Sequence, residues 1–509
     1  MQTLDLVIIF GYLIGITLFG IFYSGKQETT QDYFLGDRSV PWWAIAASIV
    51  ATETSTITFI SVPGIAFAKN GNFEFLQLVF GYMLGRIVIS LLFIPMYFKG
   101  ELFTVYQLLG ERFGSKVKML ASALFVIMRN IADGIRLLLT AIVLAAVYTA
   151  FVPDANPTTI IIASIILLGV VMIIFTFFGG MEAVIWVEVV QLGIYIGGAI
   201  AAGWVILNGI DGGFSRVLEL GSQYNKFQLF DFSLNFTKTY TFWGGLIGGC
   251  FLTMSTHGTD QYLVQRYLCT DKPSAAATAL LSSGAVVLGQ FIGFLFIGVL
   301  LFAYYQPFNA PEYAQIGTEG SKLAATFPFT GGDQVFPDFI TKHMPSGLSG
   351  LVVAAIFAAA LSSSLNSIAA TAINDIYKPF AKDKSDKHLL KMASILTVIV
   401  GIIQIGVAIA VKDAGTSALN QALGIASLIN GPVLGVFLVG TFVKKANQTV
   451  ALIAMAVSIS LMLYIFFGTK IAFPWYAVIG SLTTLFTAFI VSFLMGGGDS
   501  ENRNNALSE

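Results

Sequence analysis

Long apolar segments make up most of the chain, and shorter polar segments separate them. A transmembrane helix needs about 20 consecutive, mostly apolar residues. Windows of that length predict thirteen spans, at 3–24, 41–67, 74–98, 117–149, 157–178, 186–208, 241–266, 274–304, 347–377, 390–411, 418–442, 448–467 and 472–495. The pattern therefore predicts an all-α polytopic membrane protein with the lipid bilayer as its main partner.

The composition supports this prediction and excludes several classes of protein. Of the 509 residues, 56% are hydrophobic and 11% are charged, whereas soluble domains carry about 25% charged residues. The net charge of -1 provides no basic face for a nucleic acid. The three His residues form no metal-binding spacing and no nucleophile–base pair, so we expect neither an enzyme nor a bound cofactor. Cys250 and Cys269 lie in or beside one predicted helix, which argues against a disulfide framework.

The distribution of positive charge predicts the orientation. Lys and Arg are concentrated in alternate connecting segments, which places the N-terminus outside and the C-terminus in the cytoplasm of a plasma membrane, here a bacterial inner membrane. The segment 3–24 has no charged n-region and no small-residue cleavage site, so we interpret it as a span. The polar tail 496–509 is expected to be disordered.

Two spans in corresponding positions contain interruptions. The second span contains Pro63-Gly64, and the seventh, five spans later, contains several glycine pairs followed by a polar run at 253–260. Such a correspondence is typical of inverted-repeat transporters. The predicted units are a first helix with its cytoplasmic loop (1–40), a first five-helix repeat (41–208), an extracellular loop (209–240), a second repeat (241–442), two peripheral helices (443–495) and the tail (496–509).

The most unusual span is the second one. Between residues 51 and 64 it carries six hydroxyl side chains and the carboxylate of Glu53. Ser and Thr can bond back to their own helix, which would account for two or three of them. Polar, interrupted helix is tolerated in a bilayer only where it faces protein or a water-filled cavity. We therefore predict that this segment forms one wall of a solute or ion site.

Ionisable residues inside spans mark functional sites by default. Arg129 and Asp133 are four residues apart on one predicted helix, so mutual neutralisation and a functional role are equally consistent with the sequence. We expect Arg136 to pair with an acid on another helix. The full set of ionisable residues in spans is Glu53, Arg86, Arg129, Asp133, Arg136, Glu188 and Asp260, with His257 nearby.

The acids in this set differ in their expected partners. Asp260 and Arg266 flank the predicted cytoplasmic end of the seventh span, where a salt bridge or a helix cap is expected. Glu53 and Glu188 have no evident partner in the sequence, which makes them candidates for binding a cation. The ninth span adds three consecutive serines, at 362–364, whose hydroxyl oxygens are suitable ligands for Na⁺.

Three segments resemble the signatures of the sodium/solute symporter family, which includes sodium-coupled sugar, proline, sialate, iodide and vitamin carriers. They are Gly179–Gln191, with its Trp-x-acid-x-x-Gln core, Gly258–Leu268, and Leu365–Tyr377. The resemblance covers about residues 1–495. It implies a LeuT-like core of two inverted five-helix repeats with broken first helices, and alternating access driven by the Na⁺ gradient.

The resemblance also implies a sodium site between the second and ninth spans. Two backbone carbonyls would come from the second span and two hydroxyls from the ninth. One alignment of the ninth span places alanines at the hydroxyl positions and assigns the serines to a second sodium site with Glu188. The other alignment follows the Ala-x-x-Ser-Ser spacing and assigns Ala359, Ser362 and Ser363 to the main sodium site. Glu53, where relatives usually have a neutral residue, could supply charge. The predicted cation-binding residues are Ala51, Glu53, Thr54, Ala359, Ser362, Ser363 and Glu188.

The resemblance further implies a solute site halfway across the membrane. A carboxylate substrate would need an arginine partner, for which Arg136 is the candidate, whereas a neutral sugar would use amides and Glu74. Glu74 is equally consistent with an acid at the N-terminus of an outer helix end. Asn420 and Gln421 are further candidates on the eleventh span. The predicted substrate-binding residues are Ser55, Thr58, Glu74, Gln77, Arg136, Thr253, Thr256 and His257.

The predicted function is sodium-coupled symport of a small organic solute, either a sugar or sialate or another carboxylate, into the cell. Two alternatives remain at this point. One is a membrane sensor built on a transporter fold, which the short tail disfavours. The other is a carrier coupled to protons through Glu53.

Overall fold

The computed structural model describes residues 2–23, 28–54, 56–100, 102–152, 154, 156–318, 320–361, 364–381, 384–413, 424 and 428–495. The regular elements in these ranges are helices. The α-helices, numbered α1 to α20 in chain order, are Thr3–Tyr23, Thr30–Leu35, Trp42–Glu53, Thr56–Phe67, Leu76–Leu92, Ile94–Tyr97, Gln107–Phe113, Ser115–Phe151, Pro157–Asn208, Gly213–Gln223, Gly249–Gly258, Gln261–Leu268, Pro273–Tyr305, Val335–Lys342, Leu348–Leu361, Leu365–Thr371, Asp386–Ala410, Asn430–Phe442, Gln448–Gly468 and Pro474–Leu494. Short 3₁₀ segments lie at Gly36–Arg38, Pro307–Asn309, Pro311–Gln315, Gly332–Gln334 and Lys378–Phe380, and π-helical segments at Gly244–Gly248 and Ala372–Tyr377.

The helices have the lengths and surfaces of a membrane protein. Within the described ranges, 8 helices are long and apolar enough to cross a bilayer, or up to 9 if the bent pair α3 and α4 forms one span. Large apolar side chains such as Phe22, Leu91 and Phe493 are exposed on the outside of the bundle, as expected for lipid contact. The count of thirteen spans stays a prediction, since residues 418–423 and 425–427 of the eleventh predicted span lie outside the described residues.

The second span breaks earlier than Pro63-Gly64, where we predicted the interruption. Helix α3 ends at Glu53, and the two halves of the span meet at an angle of 59°. Pro63 lies inside α4, which continues to Phe67. Neighbouring helices allow proline in a membrane helix, and here the backbone around Pro63 and Gly64 packs closely against Gly298 and Gly332. The break is therefore set by the polar segment that precedes the proline.

The seventh span also breaks at its polar run. The glycine pairs at 244–249 form a π-helical turn that leads directly into α11. The helix ends at Gly258, and α12 begins at Gln261 with the Asp260 side chain accepting a hydrogen bond from the Tyr262 amide. Thr259 and Asp260 thus mark the interruption, at the end of the polar run 253–260 and not at the glycine pairs that precede it.

Three other predicted segments differ from the structure. The predicted fifth and sixth spans are parts of one helical stretch, α9, in which only Gly180 has non-helical backbone angles (φ 55°, ψ −160°). A positive φ with this ψ is accessible mainly to glycine. The two segments predicted as long polar loops, 209–240 and 305–345, contain the helices α10 and α14.

Glycines allow α5 to lie directly against the seventh span. A Cβ atom at Gly81 would lie 2.8 Å from the Cα of Gly249, and one at Gly85 would lie 2.7 Å from the carbonyl oxygen of Cys250. Small residues at such a contact bring two backbones together, which strengthens van der Waals packing where lipid provides no hydrophobic drive. This packing fixes the seventh span against the third.

Residues of the signature segments connect helices that are distant in the sequence. The Gln265 amide donates to the carbonyl of Phe34 and to the Asn366 side chain, both at 2.7 Å. The Asn366 amide donates in turn to the Tyr33 carbonyl. All of these groups are buried. The motif residues Gln265 and Asn366 therefore join α2, α12 and α16.

The segments 209–240 and 305–345 cover the end of α4. The ammonium group of Lys226 is fully buried and donates to three carbonyls at the C-terminal end of α4, including those of Ala66 at 3.1 Å and Phe67 at 3.2 Å. Lysine near the last carbonyls of a helix is favourable. Burial nevertheless lowers the pKa of Lys226 to about 7. From the other segment, Asp333 accepts a hydrogen bond from Ser61.

Candidate functional site

A cavity of about 420 Å³ lies beside the breaks of the second and seventh spans. Helices α3, α4, α5, α8, α11, α12, α13 and α18 contribute to its walls. Its lining combines hydroxyl, charged and aromatic side chains, as expected for a polar solute with an apolar face. The lining residues are Thr52, Glu53, Thr58, Ser61, Val62, Phe75, Tyr82, Arg129, Arg136, Leu252, Thr253, Thr256, His257, Asp260, Tyr262, Leu263, Phe291 and Asn430.

Six residues predicted from the sequence meet in this cavity. They come from the second, fourth and seventh spans, which are distant in the sequence. They are Glu53, Thr58, Arg136, Thr253, Thr256 and His257. The structure thus brings together most of the predicted solute residues with one predicted cation residue.

Glu53 has partners, contrary to our expectation from the sequence. Its carboxylate contacts the guanidinium group of Arg86 and the imidazole ring of His257. The other ring nitrogen of His257 lies 3.0 Å from the Thr256 hydroxyl. The Arg86 side chain is only 1% exposed and that of Glu53 is 14% exposed. The sequence concealed this arrangement because the three residues are on α3, α5 and α11.

Arg136 pairs with an acid on its own helix, not on another helix as expected. Its Nη1 atom lies 3.7 Å from Oδ1 of Asp133, three residues earlier on α8. The Arg136 side chain is 26% exposed, which is more than that of Arg129 at 15%. Arg129 and Asp133 do pair, with 3.3 Å between Nε and Oδ2.

Asp260 has both of the roles that were expected for the end of the seventh span. It caps α12 through the Tyr262 amide, and its Oδ2 atom lies 3.8 Å from Nη1 of Arg129. The Arg129 guanidinium also lies over the Tyr262 ring, 3.8 Å from the ring centroid. The Arg266 guanidinium lies over the same ring, 4.6 Å from its centroid, but its acid partner is not Asp260.

Arg266 instead neutralises Glu188, the second acid for which we saw no partner. Both side chains are fully buried, and Nη2 of Arg266 lies 2.5 Å from Oε1 of Glu188. The hydroxyl groups of Ser48 and Thr52 also donate to this carboxylate. The predicted cation ligand Glu188 is therefore held against the first half of the second span.

The break in the second span follows the last residue of α3. Thr54, the residue directly after α3, has non-helical angles (φ −81°, ψ 67°), and its hydroxyl lies 2.7 Å from Oε1 of Gln290. Ala51 is buried one turn earlier. The hydroxyl of Thr58 donates to the Glu53 carbonyl. Ala359 lies in α15.

Several predicted site residues lie outside the described residues. They are Ser55, Ser362, Ser363, Asn420 and Gln421.

Glu74 and Gln77 are placed against the segment 209–240, away from the lining of the cavity. Glu74 accepts a hydrogen bond from Gln228 and lies 2.9 Å from the ammonium group of Lys238. Gln77 accepts from the Asp231 amide at 2.9 Å. Glu74 lies two residues before the first residue of α5, which agrees with the interpretation as an acid near a helix N-terminus.

A second, smaller cavity of about 180 Å³ also borders the Arg129–Asp260 pair. Tyr106, Ser255 and Thr259 are among its lining residues. Three residues line both cavities, namely Arg129, Asp260 and Asn430. These side chains form the partition between the two spaces.

Sequence reasoning missed the aromatic part of the site. Phe75, Tyr82, Phe291 and Tyr262 line the larger cavity, but aromatic residues are frequent throughout this chain and gave no signal. Arg129 and Asp260 were recognised as ionisable residues in spans. A salt bridge or cap was expected for Asp260, whereas for Arg129 a structural and a functional role were equally consistent with the sequence. Their position at the partition is visible only once α8 and α12 are packed together.

Comparisons with known proteins agree on one family. The model of the sodium:solute symporter family matches residues 33–458. The sodium/sialic acid symporter NanT of Aliivibrio fischeri is 32% identical over 498 residues, covering 96% of this chain and 93% of that protein. The sodium/sialic acid symporter SiaT of Proteus mirabilis is 32% identical over 527 residues, covering 99% and 98%.

A solved structure shares the whole architecture. It is the substrate-bound, outward-open state of a Na⁺-coupled sialic acid symporter, with a TM-score of 0.83, 30% sequence identity and coverage of 97% of this chain and 98% of that chain. The fold is therefore LeuT-like, and the protein is a secondary transporter, not an enzyme. Broken helices around a central cavity, the signature segments and these likenesses agree, and the chain belongs to the sodium:solute symporter family.

Proposed function

We propose that this symporter couples the inward movement of Na⁺ to the uptake of a carboxylate-bearing solute of the sialate type. The observation that carries this proposal is the position of Arg136. Its guanidinium faces the larger cavity, and its acid partner is 3.7 Å away, longer than the roughly 2.7–2.9 Å of a charge-assisted hydrogen bond. A carboxylate in the cavity can accept the hydrogen bonds that Asp133 leaves unmade.

The rest of the cavity suits the remainder of such a solute. Thr58, Thr253 and Thr256 offer hydroxyl groups to sugar hydroxyls, and Phe75 and Phe291 offer apolar surface to the ring and its substituents. The relatives NanT and SiaT, which are sialic acid symporters, support the same class of solute. We assign Glu74 and Gln77 a role in holding the segment 209–240 over the site.

For the coupling ion we propose the carbonyls of Ala51 and Thr54 with the hydroxyls of Ser362 and Ser363. Ala359 would add a carbonyl from the ninth span. Glu188 and Glu53 already have arginine partners, which neutralise much of the charge that a cation would use. We therefore place both carboxylates around the ion site as supports.

In this proposal the protein lies in a bacterial inner membrane, with the N-terminus outside and the C-terminus in the cytoplasm. Residues 41–208 and 241–442 are the two inverted repeats. The larger cavity would then receive solute from outside, and the smaller cavity would lead towards the cytoplasm.

Uptake into vesicles tests the proposal. Purified protein is reconstituted, and uptake of radiolabelled N-acetylneuraminate is measured with an inward Na⁺ gradient and with K⁺ in its place. Unlabelled lactate, proline, glucose and pantothenate are added as competitors. We expect saturable, Na⁺-dependent uptake that unlabelled sialate competes for best. Uptake that does not depend on Na⁺, or stronger competition by glucose, would contradict the proposal.

The contact between Glu53 and His257 favours one second candidate, proton coupling. A carboxylate and an imidazole in contact beside the solute cavity can hold and release a proton. The same vesicles distinguish sodium coupling from proton coupling. If the carrier is coupled to protons, a proton gradient with the outside more acidic would be sufficient to drive uptake without Na⁺.

A further inference from the structure

Asp133 is the centre of a chain of polar contacts between three elements. The hydroxyl of Ser364 donates to Oδ2 of Asp133, and Nε of Arg129 lies 3.3 Å from the same oxygen atom. The other oxygen, Oδ1, lies 3.7 Å from Nη1 of Arg136. The Asp133 side chain is only 6% exposed. One buried carboxylate therefore contacts both arginines of the cavity and a serine of the ninth span.

The contacts to the arginines are long for buried ion pairs. Arg129 is shared further, since its Nη1 atom lies 3.8 Å from Asp260 and its guanidinium lies over Tyr262. Two buried nitrogen atoms of Arg129 and Oδ1 of Asp133 have no hydrogen-bond partner among the described residues. A buried charged group with unmade hydrogen bonds gains from any better partner. The arginines can therefore respond to an anion that enters the cavity.

Ser364 ties the same carboxylate to the ninth span. It precedes the first residue of α16 and is itself fully buried. In the sequence it directly follows Ser362 and Ser363, the proposed ligands of the coupling ion. A change in how strongly Asp133 holds Ser364 therefore acts next to the ion site.

We propose that Asp133 is a positioning residue that couples solute binding at Arg136 to cation binding beside Ser364 of the ninth span. This inference rests on the proposed function. A solute carboxylate at Arg136 competes with Asp133 for the guanidinium group. The carboxylate of Asp133 is then less neutralised by the positive charge of Arg136. Its negative charge therefore stabilises a cation bound near Ser364. By linkage, Na⁺ raises the affinity for solute by the same factor.

Calorimetric titration of the purified full-length protein tests this coupling. The dissociation constant of N-acetylneuraminate is measured in Na⁺ and in K⁺, and their ratio gives the coupling factor. The variants are Asp133→Asn, which keeps an acceptor for Ser364 but removes the charge, and Ser364→Ala, which removes only the hydrogen bond. Asp271→Asn and Ser460→Ala change exposed residues and serve as matched controls.

We expect both variants to reduce the coupling factor by about tenfold, within the usual range of such couplings, while the controls keep it. Ser364→Ala should leave the dissociation constant in K⁺ within about twofold, since Ser364 is not part of the cavity lining. The double variant should lose no more than the larger single loss, because both changes interrupt one connection. Ser364→Thr, which restores a hydroxyl, should restore the coupling.

The outcomes are distinguishable. Coupling factors like that of the unsubstituted protein in both variants overturn the inference and leave the proposed function standing. An unsubstituted protein that binds no sialate in either salt overturns the proposed function, and this inference with it. If Asp133→Asn fails to fold, Ser364→Ala and Ser364→Thr decide the question alone.

Discussion

The carboxylate of Glu53, at the break of the second span, contacts the imidazole of His257 on the seventh span. Arg86 contacts the same carboxylate from α5. One acid thus connects three helices at the wall of the solute cavity, and two of those helices are the broken members of the proposed repeats.

Replacing Glu53 with Gln should destabilise the protein by roughly 3–5 kcal/mol, because it leaves the buried guanidinium of Arg86 without its charge partner. Thermal unfolding in detergent measures this effect. The exposed Glu219→Gln provides the matched control and should change little. The double variant Glu53→Gln/Arg86→Met should recover part of the loss. A double variant no more stable than the single one would contradict this explanation.

Replacing Arg136 with Lys should weaken sialate binding by about tenfold. Lysine keeps the positive charge but cannot form the paired hydrogen bonds that arginine makes with a carboxylate. Calorimetric titration in Na⁺ measures the dissociation constant, and Arg216→Lys, in the segment 209–240, is the control. An unchanged dissociation constant would mean that Arg136 does not bind the solute carboxylate.

Replacing Gly81 with Ala should destabilise the bundle by roughly 1–3 kcal/mol, the usual effect of overpacking. The added Cβ atom would lie 2.8 Å from the Cα of Gly249, where only backbone movement can relieve the clash. Gly289→Ala is the matched control, since nothing lies within 4 Å of that position. Thermal unfolding of the two variants should separate them clearly. Equal melting temperatures would show that α5 and the seventh span are less closely packed.

The stability of the protein should depend on pH through Lys226. Its pKa is lowered from 10.5 to about 7 in the folded protein, so the unfolded chain binds more protons between these values. The contribution of Lys226 to stability therefore increases as the pH rises from about 7 to about 10, with a slope of at most about 1.4 kcal/mol per pH unit. Below about pH 7 Lys226 is charged in both the folded and the unfolded protein, so burying its charge lowers the free energy of unfolding by the full amount.

Thermal unfolding of Lys226→Met measures this contribution, because the variant lacks the titrating group. The difference in melting temperature between the two proteins should change across this pH range in favour of the unsubstituted protein. Lys322→Met, at an exposed position, should follow the unsubstituted protein at every pH. A constant difference between Lys226→Met and the unsubstituted protein would refute the shifted pKa.

The sequence predicted the membrane fold and the polar wall of the site because both depend on local composition. Apolar length identified the spans, and the hydroxyls around Glu53 identified the second span as a wall of the cavity. It placed the break of the second span wrongly because Pro63-Gly64 was taken as the interruption. For the seventh span it offered the glycine pairs and the polar run 253–260, and the break lies at the end of that run. In the packed bundle Pro63 is accommodated within α4, and the glycines at 244–249 form a π-helical turn.

Partners across helices could not be predicted in the same way. Glu53 with Arg86, and Glu188 with Arg266, are separated by 33 and 78 residues, and no sequence period relates them. The pairs within one helix, by contrast, follow directly from helical geometry, as for Arg129 and Asp133 at a spacing of four. Glu74 shows the same limit, since its position under the segment 209–240 depends on where that segment folds.

The partition formed by Arg129, Asp260 and Asn430 has an electrical consequence. When water fills the cavities on both sides, most of the membrane potential falls across this thin layer of side chains. Displacing one elementary charge through the full potential changes the energy by about 2.3 kcal/mol per 100 mV. Separation of Arg129 from Asp260 within that field would move charge, so the step that connects the two cavities should be sensitive to voltage.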